Sequence, residues 1–168
     1  TGKVTITGKG NYTGTKELTF TINKRTITVT AGSSSKTYDG TALTNSSATL
    51  SGGTLASGQT LTASATGTIT NVGSVANTVS TAVVKNSAGT DVSSNYTITK
   101  ANGRLTVSKR AITVTAEAKT KTYGEANPAL TYKTAGAVSG QTAKFNGSLA
   151  CSATATSGVG TYDITQGT

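Results

Sequence analysis

The chain has 168 residues, 15 Lys and Arg against 6 Asp and Glu, one Cys, one Pro, and no His, Trp or Met, which is one or two domains by length. Without His it has no usual general base, no Ser/His or Cys/His nucleophile pair and no imidazole to hold a metal, so most hydrolase mechanisms are excluded. Cys151 stands alone, which excludes a disulfide framework or a CxxC pair and leaves a small buried hydrophobe as the expected role.

Leu, Ile, Val and Phe together make 29 of the 168 residues, against 38 Thr. The first number is low enough to permit disorder. The second favours strands, because a β-branched residue at that density suits a pleated surface. The fold expected is all-β with a thin core.

In chain order, Leu18, Phe20 and Ile22 alternate with Thr19, Thr21 and Asn23. After Lys24-Arg25 the alternation resumes with Ile27, Val29 and Ala31 against Thr26, Thr28 and Thr30. Both runs read as half-buried strands. Asp39-Gly40 and Gly52-Gly53 are turn signals. From Gly40 to Val84 there is no charged residue, yet Leu50, Leu55, Leu61, Ile69, Val72, Val75, Val79 and Val83 recur through the stretch, which predicts short ordered strands with hydroxyl-bearing outer faces rather than a disordered tract.

Further on, Asn102-Gly103 separates Tyr96-Thr97-Ile98-Thr99 from Leu105-Thr106-Val107, which predicts a hairpin closed by a type I′ turn and makes Gly103→Val costly through the positive φ that such a turn demands. No window of a dozen residues has a helical period. No stretch approaches the roughly 18 apolar residues of a membrane span, and Thr1-Gly2-Lys3-Val4 does not read as a signal peptide. The chain ends lack polar tails, so a fragment of something longer is expected.

An internal repeat organises these elements. Asn11-Tyr12-Thr13 returns as Asn95-Tyr96-Thr97. Lys24-Arg25-Thr26-Ile27-Thr28-Val29-Thr30-Ala31 returns as Lys109-Arg110-Ala111-Ile112-Thr113-Val114-Thr115-Ala116, and Lys36-Thr37-Tyr38 returns as Lys121-Thr122-Tyr123. A period of that length fits one small β-domain. The expected division is 1–24 as the closing strands of a preceding repeat, 25–109 as a complete domain, and 110–168 as a domain truncated at its C-terminal end. Two or three residues between the last strand of one domain and the first of the next leave little hinge freedom, which predicts an extended, stiff rod.

The run Lys36-Thr37-Tyr38-Asp39-Gly40-Thr41 after Arg25-Thr26-Ile27-Thr28-Val29-Thr30-Ala31 resembles the YDG-type MBG repeats of bacterial surface and secreted proteins. Lys121-Thr122-Tyr123-Gly124-Glu125-Ala126-Asn127-Pro128 resembles the sister YGX type. The resemblance implies tandem β-sandwich or β-grasp-like modules in the extracellular, wall-attached or secreted stalk of an adhesin. It supplies no catalytic, cofactor or metal residues. Tyr38 reads as an aromatic anchor at the end of the first strand, followed by an Asp-Gly turn; Gly124 stands in place of Asp39 in the second unit, which argues against a shared Asp-dependent function.

The partners expected are neighbouring repeats of the same chain and a second copy in head-to-tail association. The formal charge of +9 adds a salt-sensitive attraction to anionic surface polymers, such as teichoic acid or a glycosaminoglycan, centred on the basic junctions Lys24-Arg25 and Lys109-Arg110. Six Tyr and two Phe are too few aromatics for specific nucleic-acid binding. No acidic residue lies in an evidently apolar strand to assist a Lys–Asn isopeptide crosslink. The Asn-x-Ser/Thr triplets at Asn11, Asn45, Asn95 and Asn146 are what chance gives in so Ser- and Thr-rich a chain.

Overall fold

The computed structural model describes residues 2–167. The chain divides into two compact units, Thr1–Lys36 with Ala42–Val107, and Thr37–Thr41 with Ser108–Thr168. Both are built from strands, and among the described residues the one helical element is a 3-10 turn at Ser93–Asn95. No helix among them is long and apolar enough to cross a membrane.

The first unit opens with β1 (Gly2–Thr7) and β2 (Thr15–Phe20), an antiparallel ribbon in which Val4 faces Leu18 and Gly2 faces Phe20. These two strands pair only with each other. The half-buried strand expected at Leu18, Phe20 and Ile22 is therefore not found: the three side chains are exposed, Phe20 by 54% and Ile22 by 78%. Two paired strands satisfy each other's backbone on one edge but supply no second layer to cover a face.

Nine strands follow: β3 (Arg25–Ala31), β4 (Ser34–Thr37), β5 (Leu43–Thr44), β6 (Ala48–Gly52), β7 (Thr60–Thr66), β8 (Thr68–Ile69), β9 (Gly73–Lys85), β10 (Tyr96–Ala101) and β11 (Gly103–Ser108). They form a three-stranded sheet in the order β10-β3-β6, a four-stranded sheet in the order β4-β11-β9-β7, and a small β5-β8 ribbon. The apolar face of β3, carrying Ile27, Val29 and Ala31, packs on Ala65, Val79 and Val84 of the other sheet. This is a β-sandwich, and among the described residues there is no α-helix to make a β-grasp. The uncharged stretch is ordered as expected, since β5 to β8 and most of β9 lie within it.

The hairpin expected at Asn102-Gly103 is corrected by this topology. β10 runs parallel to β3, with Tyr96 opposite Arg25 and Ile98 opposite Ile27, while β11 runs antiparallel to β9, with Leu105 opposite Val75 and Gly103 opposite Asn77. The chain crosses from one sheet to the other at Asn102, and neither Asn102 nor Gly103 has positive φ. The physical reason is register: pairing with β3 and β9 buries Leu105 and Val107 and covers Ile98 in part, whereas a local hairpin would leave them on an unpartnered ribbon. Gly103 serves close approach instead. A Cβ there would stand 2.3 Å from the Gly32 carbonyl oxygen and 2.5 Å from that of Ala31.

Core burial ends in a polar residue. Asn77 is fully buried, and its Nδ2 donates to the carbonyls of Gly32 and Asn45, both at 2.8 Å. The side chain thereby ties the segments after β3 and β5 to β9.

In the second unit β12 (Thr113–Ala116) pairs with β13 (Tyr132–Ala135), and β14 (Leu149–Cys151) pairs with β15 (Ile164–Gln166). The Tyr132 and Phe145 rings meet edge to face with centroids 5.9 Å apart, an arrangement the aromatic quadrupole favours. Among the described residues from 108 to 167 none is fully buried. Cys151 is half-buried rather than buried. β11 ends at Ser108 and β12 begins at Thr113, so four residues separate them, where two or three were expected.

Candidate functional site

The motifs singled out in the sequence are the places to look for chemistry. At Tyr38-Asp39-Gly40-Thr41 the Asp39 carboxylate accepts from the Thr41 backbone N–H at 2.9 Å and from its hydroxyl at 2.8 Å. Gly40 has φ +82°. This is the Asp-Gly turn read from the sequence, with the carboxylate used on its own backbone. The motif follows β4, one strand later than expected, and the Tyr38 N–H donates to the Ser108 carbonyl at 2.9 Å. Tyr38 is half-buried, and its hydroxyl exchanges hydrogen bonds with the Gln141 side-chain amide, at 2.9 Å from Nε2 and 3.1 Å to Oε1. In the repeated motif the left-handed residue is Gly124, φ +89°, one position earlier, and Tyr123 is 65% exposed.

A second repeated motif went unread in the sequence. Ser57-Gly58-Gln59-Thr60 returns as Ser139-Gly140-Gln141-Thr142. In the first unit Gln59 Oε1 accepts from the Tyr96 hydroxyl at 2.7 Å, and that hydroxyl accepts from the Ala56 N–H at 2.9 Å. Tyr96 is a buried anchor, whereas Tyr12, its partner in the Asn-Tyr-Thr repeat, is 78% exposed. The signal was available: a four-residue identity spaced like the rest of the repeat.

The basic junctions have structural work of their own. The Arg25 guanidinium donates to the Thr54 hydroxyl at 2.8 Å and to the Thr54 and Leu55 carbonyls at 3.3 Å. Arg110 Nε donates to the Gly136 carbonyl. Each arginine thus stands at the start of its repeat and holds the loop that follows the second main strand of its sheet.

Two carboxylates are held below their ordinary range. The hydroxyl and backbone N–H of Ser93 donate to Asp91 and lower it. The Thr131 hydroxyl, first, and Lys133, second, lower Glu117, which accepts from Thr131 at 2.6 Å and pairs with Lys133 at 3.1 Å. A lowered folded value means that the bond stabilises the folded unit above the ordinary Glu value of 4.5 and that this contribution is lost as pH falls through the folded value. An NMR titration of the Glu117 carboxyl carbon should therefore give a midpoint below 4.5, and Thr131→Val should move it up. A midpoint unmoved by Thr131→Val would remove the assigned cause. Both groups are surface turn contacts rather than a paired acid and base.

Among the described residues no group of three or more His, Cys, Asp and Glu is placed to hold a metal ion. Two clefts lie among the described residues of the second unit. One, of about 400 Å³, lies between Lys119–Lys121 and Gly160–Ile164. The other, of about 330 Å³, lies over Val114, Ala116, Tyr132, Phe145, Leu149 and Ile164. The first is lined by Cys151 and Ser157 as well as by Lys119 and Lys121.

No curated protein and no solved structure matches the chain. Residues 112–168 match the family described as MBG domain (YGX type), the type that Lys121–Pro128 resembles.

Proposed function

We propose that this chain is a non-enzymatic structural segment of a bacterial surface or secreted adhesin, an extracellular series of β-modules that holds a distal binding domain away from the surface. The observation that carries the reading is the match of residues 112–168 to the MBG domain (YGX type). It is supported by what the motif residues do: Asp39, Tyr96, Asn77, Arg25 and Arg110 direct their polar groups at the chain's own backbone and side chains. The alternative, recognition of anionic polymers through the junctions, would draw on Arg25 and Arg110, which keep their charge but already spend part of their hydrogen-bonding capacity on carbonyls of the chain.

The test is mechanical. A small binding domain displayed on a bacterial surface through zero, one or two copies of the whole chain should reach a bead-bound target across the surface glycan in proportion to copy number. Access independent of copy number would overturn the spacer reading. Saturable retention on teichoic acid lost in Lys109→Ala/Arg110→Ala would favour the alternative.

A further inference from the structure

The dipeptide Asn-Gly occurs at Asn102-Gly103 and again at Asn146-Gly147. It is the pair in which a backbone most readily attacks its own side chain. The nitrogen of the second residue is one ring closure from the Asn amide carbon, and a glycine puts no Cβ in the way and turns freely into the attacking geometry. What holds the two groups decides whether the reaction runs in a folded chain, and the two pairs are held differently.

Asn102-Gly103 belongs to the closed sandwich. Gly103 is the first residue of β11, buried and opposite Asn77, with the Ala31 and Gly32 carbonyls against it. The Asn102 side chain is exposed, but bringing the Gly103 nitrogen onto it means lifting the start of β11 away from β9. Asn45 and Asn86, each followed by Ser, are restrained in another way. Asn45 Oδ1 accepts from the Ser47 N–H, and Asn86 Oδ1 accepts from the N–H groups of Ala88 and Thr90, so attack would break a hydrogen-bonded turn.

Asn146-Gly147 has neither restraint. Both residues are exposed, in a bend outside any strand, and Gly147 has φ +91°. Among the described residues the Gly147 N–H donates to no backbone carbonyl, and the Asn146 amide has no hydrogen-bond partner. The repeat explains the exposure. Gln59-Thr60 returns as Gln141-Thr142, and Leu61, Ser64, Ala65 and Thr66 return as Leu149, Ser152, Ala153 and Thr154. Thr60 and Leu61 are adjacent, whereas residues 143–148 stand between Thr142 and Leu149. The pair therefore sits in an insertion that the first unit does not have. The insertion leads into the counterpart of β7, and β7 is a terminal strand of its sheet in the closed sandwich, so the inserted loop lies at the rim of the module.

We propose that Asn146 is a self-modification site, left open by the fold while the same dipeptide at Asn102 is closed. The Gly147 nitrogen attacks Asn146 Cγ and forms a cyclic imide. The Cγ–Nδ2 bond breaks, and Nδ2 leaves as ammonia with the proton that Gly147 gives up. Water then opens the ring. Addition at Cγ leaves an aspartate, and addition at the main-chain carbonyl leaves an isoaspartyl link in which the backbone runs through Cβ. No electrons are exchanged, and water is the one co-reactant. Either product lowers the formal charge of +9 by one and removes the Asn-x-Ser triplet at that position. The extra backbone atom of the isoaspartyl form is accommodated in an unpaired loop; at Asn102 it would displace β11 along β9.

The full chain, incubated at neutral and at mildly alkaline pH and mapped by proteolysis and mass spectrometry, should show Asn146 turning into aspartate and isoaspartate. Conversion should be faster at the higher pH, where more of the attacking amide is deprotonated, and the isoaspartyl product should accept a methyl group from an isoaspartyl methyltransferase. A pair locked in a core strand reacts only through the small fraction of molecules in which that strand is open, so in the same native sample Asn102 should convert about a hundredfold more slowly. In denaturant both pairs are free, and their rates should agree within about threefold. Asn146→Gln, which enlarges the ring to be closed, should stop conversion at that position and leave the melting of the sandwich unchanged. An Asn146 that stays intact in the native chain while the denatured chain converts it would overturn the proposal. So would equal native rates at Asn102 and Asn146, because the dipeptide alone and not its setting would then determine the chemistry.

Discussion

Asn77→Asp should unfold the first unit at neutral pH and leave it more nearly folded in acid. The substitution keeps size and shape but replaces an amide nitrogen that donates to two carbonyls at 2.8 Å with an oxygen that can only repel them when ionised. The site is fully buried, so a carboxylate there loses its water and gains no partner. Costs of this kind run to about 3–5 kcal/mol, a large share of the roughly 5–15 kcal/mol by which a domain is stable. The sign of the pH effect follows from the same geometry. Burial against carbonyls raises the folded value of the introduced carboxyl above its unfolded one, so the protonated form is the one the fold accepts. The deficit is smallest below the ordinary Asp value, about 3.9, and grows as pH rises through the raised folded value. Even protonated, the single O–H satisfies one carbonyl and leaves the other, so about 1–3 kcal/mol remains lost. Melts of variant and wild type in parallel at acid and neutral pH check this. Asp91 and Glu117, whose values are lowered, act alike in both proteins and cancel in the difference, which should widen with pH through residue 77 alone. A difference independent of pH would show that Asn77 does not face those carbonyls.

Much of the architecture was legible because repetition and composition are local properties. The β-branched alternation marked β3, and the Asp39-Gly40 turn followed from its own side chain. What was not legible depends on partners distant in sequence. The run from Tyr96 to Val107 alternates as a hairpin would, and only β3 and β9 decide that its halves enter different sheets. The burial pattern along β9 escapes the sequence for a related reason. The pairing with β7 shifts between Ser64 and Ala65, so that Ser64 faces Thr81 and Ala65 faces Val79. The extra residue, Ser80, flips the phase of the strand. Asn77 and Val79 point inward before it and Val84 after it, while Val83 is half-buried. A bulge leaves no mark in a pattern of Thr, Ser, Ala and Val. The exposed face of β2 was also hidden, because alternation reports that a face can be buried and not whether anything covers it.

Gly103→Ala tests which of two geometries makes that glycine necessary. In a type I′ turn Asn102 and Gly103 would both have positive φ, and replacing either would cost through backbone strain. In the structure neither has positive φ. The penalty comes from crowding: the new methyl would meet the carbonyl oxygens of Gly32 and Ala31 at 2.3 and 2.5 Å, far inside contact distance, and both are backbone atoms that cannot swing aside. The Gly32 carbonyl is also one of the two that Asn77 holds, and the next residue's N–H, that of Arg104, donates to the Ser33 hydroxyl at 3.0 Å. Moving the end of β3 away from the methyl therefore breaks two further bonds. Overpacking of this kind costs about 3 kcal/mol, or a fall in Tm on the order of 10–20 °C for a unit of this size. Asn102→Ala, at an exposed position on the crossing, should change stability by no more than about 0.5 kcal/mol. Because Gly103 and Asn77 act on one carbonyl, Gly103→Ala combined with Asn77→Ala should cost less than the sum of the two alone. Thermal melts of the four variants beside the wild type decide the matter: equal damage from Asn102→Ala and Gly103→Ala would restore the positive-φ turn, and a harmless Gly103→Ala would mean that β11 does not pass so close beneath the end of β3.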